Sequence, residues 1–147
     1  MEIFTVVVQA ATALAIVFAA WQLLSHSRQM HRDFEMLYVQ RYWQLMDRRS
    51  ARLVNRGIAK SRDREVIRAY LQLCEDEVDL RRTGRVTDST WVFWSVATLR
   101  QCRERAYAEE LRTAPPGLYR GLRAVLAGEG RRDPLVRNWL WRRLHGL

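Results

Sequence analysis

From Ile3 to Leu24 the chain runs for twenty-two residues without a charged residue, a glycine or a proline. No other segment restricts the fold as much. A helix that crosses a bilayer needs about 20 predominantly apolar residues, and eleven of these are Leu, Ile, Val or Phe. At roughly −0.3 to −0.6 kcal/mol each near the bilayer centre, they favour insertion by about 3 to 6 kcal/mol before Gln9 is set against them. A core helix of a water-soluble domain would carry a polar stripe, and nothing in this run is polar enough to face water. A cleaved export signal opens on basic residues, whereas only Glu2 precedes the run. The segment reads as a permanent transmembrane helix over 3–24.

The flanks orient it. No Lys or Arg precedes the span, while Arg28, Arg32 and Arg41 follow it. The positive-inside rule then places the N-terminus outside and the rest of the chain in the cytoplasm, with the inner (cytoplasmic) membrane as the location. Trp21, Arg28 and Arg32 are the membrane-interface residues, the indole at headgroup level and the guanidinium groups beyond it.

Within the span, Ala11, Ala15 and Ala19 repeat every four residues and so stack along one helix face. Gln9 and Thr12 continue that broad side, and the bulky residues gather on the other. Small residues let a second helix approach closely, and an amide or hydroxyl can bond across it. Gln9, Ala11, Thr12, Ala15 and Ala19 form the expected association face, for a second copy or for another membrane protein.

Beyond the span the chain reads as helix throughout. No Gly occurs before Gly57 and no Pro before Pro115. A basic neck over 25–56 carries two adjacent stripes at helical spacing: Phe34, Tyr38, Tyr42 and Leu45, then Met36, Val39, Trp43 and Met46. Residues 57–147 form a cytoplasmic domain of about four further helices packing on the neck. The first covers about 63–83, closed by Gly84 in the left-handed conformation. The second covers about 89–112, capped by Thr87 or Asp88, with Trp91, Trp94, Val96, Ala97, Leu99, Cys102 and Tyr107 as its apolar face. The third lies between Pro116 and Gly128. The last opens at Asp133-Pro134, read as a cap and a first-turn proline. The fold class is all-α: one span, a basic neck and a small helical bundle.

The formal charge is +9, carried by 24 Arg and the single Lys60. It is uneven: residues 28–64 hold ten basic and four acidic side chains, residues 65–110 seven and nine, residues 111–147 eight and two. In the middle block Glu75, Asp76, Glu77 and Asp79 read as a solvated face answered by Arg81, Arg82 and Arg85. No carboxylate–His pair on another helix and no glycine loop accompanies them, so no metal site is assigned. Cys74 and Cys102 lie far apart without a partner His or a CxxC motif, and read as small buried hydrophobes. None of the phosphate-loop, dinucleotide, zinc-peptidase or serine-hydrolase signatures occurs, so no catalytic residue and no cofactor is assigned. The helix–turn–helix at 63–112 suits DNA poorly. Its second helix opens STWVFW, too apolar for a groove, and its first is acidic. The basic tail suits anionic lipid better, with Arg131, Arg132, Arg137, Arg142 and Arg143 around Leu135, Trp139, Leu140 and Leu144.

The stretch from Glu75 to Trp91 ends a helix on an acidic run and continues Gly84-Arg85-Val86-Thr87, then Trp91. With the short span and the basic neck, this resembles a bacterial family of single-span, membrane-anchored helical proteins of unknown function, over about residues 34–110. Where that family often has Phe-Phe-Glu, this chain has Leu73-Cys74-Glu75. The resemblance implies a compact helical cytosolic domain and brings no active site with it. The expected function is that of a non-enzymatic anchored adaptor or accessory subunit, associating through its span and docking a cytoplasmic partner. The alternative is a tethered effector or enzyme whose helical body binds a nucleotide, an anionic lipid or nucleic acid.

Overall fold

The computed structural model describes residues 2–145 and 147; the side chains of Glu2, Leu24, Ser27, Arg28 and Leu144 lie outside that description. Among the described residues the secondary structure is helical, with no strand. The span and most of the neck form one unbroken helix, α1 (Glu2–Asp47), as the absence of Gly and Pro predicts. Its segment Ile3–Leu23 is long and apolar enough to cross a membrane, and none of it is buried against the rest of the chain.

The neck ends sooner than Gly57. Ser50 is extended and caps α2 (Ala51–Arg56), accepting the Leu53 N–H at 3.1 Å. Gly57 then closes α2 in the left-handed conformation. Asp63, at the start of α3 (Ser61–Arg82), holds this corner. Its carboxylate accepts the backbone N–H and the hydroxyl of Ser50 at 2.9 and 2.8 Å, and the Lys60 N–H at 2.8 Å. Burial alone would raise the pKa of that carboxyl; the hydrogen bonds from Lys60 and Ser50 outweigh it and hold the group below the usual range.

The helix read as one over 89–112 is two: α4 (Asp88–Cys102) and α5 (Arg105–Thr113). The break at Arg103-Glu104 has no Gly or Pro to mark it. It turns the chain so that Tyr107 and Leu111 reach the core. Val96 and Ala97, expected on the buried side of α4, are exposed; Trp91, Ser95, Thr98 and Cys102 are buried instead. α6 (Arg120–Ala127) and α7 (Trp139–Leu144) complete the body. The last helix starts later than the proline suggests, with Asn138 as its cap. Among the described residues the neck region contains the extra short helix α2, and five helices, α3 to α7, follow it rather than about four.

The central element is α3, which packs on α1, α5 and α6. Ile67, Tyr70, Leu71 and Cys74 from α3 meet Met46, Leu53, Tyr107 and Leu122 in the main core. Two glycines make close approach possible. A Cβ on Gly121 would come within 2.9 Å of Val78 Cγ1, so α6 lies directly against α3. At Gly84, φ is +74° and a Cβ would meet the Trp141 ring at 2.9 Å. The α3–α4 turn is thus left-handed and lies under α7, which demands glycine on both grounds.

Candidate functional site

The structure disperses the acidic cluster. Successive helix positions point about 100° apart, so Glu75, Asp76, Glu77 and Asp79 meet different surroundings. Glu75 caps α6 from outside, accepting N–H groups of Gly121 and Leu122 at 2.9 and 2.7 Å. A carboxylate there also faces the positive end of the helix dipole. Asp79 pairs with Arg82 at 3.1 Å on the surface. Glu77 is buried, and burial first, then the neighbouring Cys74 and Asp76, pushes its carboxyl well above the ordinary range. The solvated face read from the sequence is therefore corrected: of the arginines set to answer these acids, only Arg82 does so.

Arg81 turns inward, with 1% of its surface exposed. Its guanidinium grips Asp133 through two nitrogens, donates to Asp88 Oδ1 at 2.6 Å and to the Val86 carbonyl at 2.8 Å. Arg142 closes the square, 3.1 Å from both Asp88 and Asp133 and 2.8 Å from the Leu135 carbonyl. Two arginines and two aspartates thus alternate where the end of α3, the start of α4 and the segment before α7 meet. Burial would raise the Asp133 carboxyl, but Arg81 and the Leu135 N–H hold it low. Asp133 is an anchor for this cluster rather than a helix cap, which is why α7 begins at Trp139.

Arg142 is therefore held within the body. Arg131, Arg132, Arg137 and Arg143 are exposed, with Arg143 lying over Trp139 at 5.6 Å and Arg137 over Trp141 at 5.2 Å. The apolar side of the tail splits: Leu135 is buried, while Trp139 and Leu140 are exposed. The tail folds back onto α1, where His31 Nε2 lies 3.1 Å from the His145 carbonyl and Nδ1 lies 3.0 Å from the Arg85 carbonyl. A neutral imidazole donates to one such acceptor, an imidazolium to both.

On the span, Gln9, Ala11, Thr12, Ala15 and Ala19 are all exposed, and the Thr12 hydroxyl donates to the Val8 carbonyl at 2.8 Å. Trp21 and Arg32 are exposed near its end; the Arg28 side chain lies outside the described residues. Cys74 and Cys102 are both free and buried, as expected. Burial, with the adjacent Cys102, raises the Cys74 thiol, which suits packing rather than nucleophilic chemistry.

Beyond the span, three members of the neck's second stripe stay uncovered, Met36, Val39 and Trp43, while its fourth, Met46, is buried in the core; Val92, Phe93 and Val96 of α4 also face outward. The first stripe packs inward, with Tyr38 buried and Tyr42 half-buried. Comparison with protein-family models, curated proteins and solved structures finds no match to this chain.

Proposed function

We propose that the chain is a single-pass, membrane-anchored adaptor or accessory subunit, N-terminus outside and body in the cytoplasm, that associates through its span and docks a cytoplasmic partner. The observation that carries this reading is α1 itself: one unbroken helix whose first half is apolar and uncovered and whose second half is built into the body. The basic flank after the span supports the orientation. The alanine face supports association, because Ala15 lies about 140–160° around the helix from His31 and Tyr38 at 3.6 residues per turn. The body packs on the side of α1 opposite the alanines, leaving that side open to a second helix. Exposed Val92, Phe93 and Val96 offer the body a surface for a partner.

In-membrane cysteine crosslinking of the full chain tests the association face. Ala15→Leu is expected to lower crosslinking severalfold while carbonate-resistant membrane retention stays at the wild-type level. Equal crosslinking in both proteins would refute the alanine face.

Contact with anionic lipid fits the same arrangement. His31 is about 12 Å along the helix from Leu23 at 1.5 Å per residue, and the tail carbonyl of His145 is held beside it. Trp139, Leu140, Arg137 and Arg143 then lie at the membrane-proximal end of the body, where cationic side chains gain about 1 kcal/mol each from an anionic surface. A spin label at Leu140→Cys is expected at the outer surface of the headgroup layer in phosphatidylglycerol vesicles, and is expected to be released by Arg137→Glu with Arg143→Glu. A label that stays in water in the otherwise unaltered chain would exclude the contact.

A further inference from the structure

Where α1, α3 and α4 meet, a cleft of about 310 Å³ opens between the neck and the body. That is at the small end of ligand sites, which run roughly from 300 to 1,000 Å³. Its lining is unusual in chemistry. Tyr38, Tyr42, Tyr70 and Trp94 lie around it, Trp43 and Phe93 stand at its edge, and one acid, Glu77, reaches in among them. The Tyr38 and Trp94 rings are 6.0 Å apart between centroids and the Tyr42 and Tyr70 rings 6.2 Å, the second pair edge to face. Trp43 and Phe93 are 59% and 76% exposed, so the cleft is reached from solvent.

Glu77 is the incongruous member. It is 7% exposed, and no hydrogen-bond donor or cation among the described residues pairs with its carboxyl. Its carboxyl oxygens are not fully enclosed; they open toward the cleft, where a guest of the right charge can meet them. Arg81, one turn further along α3, is fully engaged by Asp88, Asp133 and the Val86 carbonyl. Arg41 lies 5.4 Å from the centroid of the Tyr38 ring but belongs to a separate hollow with Asp76. A metal ion is a poor match, since hard cations take six or more oxygen ligands and Glu77 is the one carboxylate in the lining. An apolar guest would leave the acid unsatisfied. An organic cation suits both features: aromatic faces attract a positive charge through their quadrupoles, most strongly when it is desolvated, and the carboxylate supplies the counter-charge.

We propose that this cleft binds a small, water-soluble organic ammonium ion of the quaternary or alkylated class, with Tyr38, Tyr42, Tyr70 and Trp94 as the aromatic cage and Glu77 as its anion. This goes beyond the adaptor reading and stands independently of span association. The position on the chain selects a soluble ligand over a lipid headgroup of the same chemistry. Tyr38 to Trp43 lie roughly 20–30 Å along α1 from Leu23, whereas the headgroup layer extends only about 5–8 Å beyond the hydrocarbon. Arrival of the cation converts the buried acid to its carboxylate and sends the proton to solvent. The titratable and charged groups facing Glu77 are Tyr38, with Arg41 behind it, on α1 and Tyr70, Cys74 and Asp76 on α3; the α4 lining, Trp94 and Thr98, has none.

The test is calorimetric titration of the full chain with choline and with its uncharged carbon analogue, dimethylbutanol, in maltoside detergent. Choline is expected to bind at least about tenfold more tightly than the analogue, with proton release and with affinity that rises with pH. Glu77→Gln is expected to weaken choline at least about tenfold. Phe93→Ala, a change at an exposed edge position that leaves folding intact, is expected to weaken it about threefold. Choline affinity is expected to be equal in phosphatidylglycerol and phosphatidylcholine nanodiscs. Equal binding of choline and its analogue, absence of choline binding, or a choline affinity unchanged in both variants would overturn the proposal. So would competition by phosphatidylcholine, which would make the lipid headgroup the ligand.

Discussion

Replacing Arg81 by methionine is expected to lower the melting temperature of the full chain in detergent by about 10 °C, from a loss of about 3 kcal/mol. Breaking a fully buried ion pair by removing one partner costs about 3–5 kcal/mol, because a charge is left uncompensated. Here the full figure is reduced, since Asp88 and Asp133 are partly exposed and Arg142 still reaches both. Against that, the buried Val86 carbonyl loses its donor, which alone costs on the order of 1–3 kcal/mol. Arg81→Lys retains the charge but cannot fork onto Asp133 while reaching Asp88 and Val86, so about half the loss should remain. Circular dichroism melts of the three proteins decide the matter. A methionine variant that melts with wild type would mean that the square of charges contributes nothing net.

That cluster marks where sequence reasoning stops. Ile3–Leu23 is legible as a helix long and apolar enough to cross a membrane because the run holds no charge, Gly or Pro, and Gly57, Gly84 and Thr87 are legible because backbone geometry at helix ends admits few residue types. Arg81 is not, since its partners lie 7 and 52 positions away and nothing local distinguishes it from Arg82. The break at Arg103-Glu104 carries no breaker residue; burial of Tyr107 compels it from across the core. The aromatic stripe of the neck is readable as a packing face. Its neighbours Trp94 and Glu77 join it only through the packing of α1, α3 and α4, and the side of α3 on which each acid falls is a tertiary property.

Glu77→Gln is expected to stabilise the chain, and by more as pH rises. In the folded protein burial first, then Cys74 and Asp76, raises the Glu77 carboxyl well above 4.5, its ordinary value, which the unfolded chain retains. Below about pH 4.5 both states are protonated, and the two proteins should be of similar stability. Above it the unfolded wild-type chain releases a proton that the folded chain keeps. Wild type then loses about 1.4 kcal/mol for each pH unit, until the folded carboxyl itself ionises and the loss levels off. Glutamine has nearly the same shape and no titration, so the gap between the variants grows through that window. Urea midpoints measured from about pH 4 to about pH 7 read it directly. A gap that stays constant or reverses would show that Glu77 is already an anion in the folded chain. Saturating choline adds a second sign: it should stabilise wild type by at least about 1.4 kcal/mol more than the glutamine variant, whose site binds at least about tenfold more weakly, and so shrink the gap.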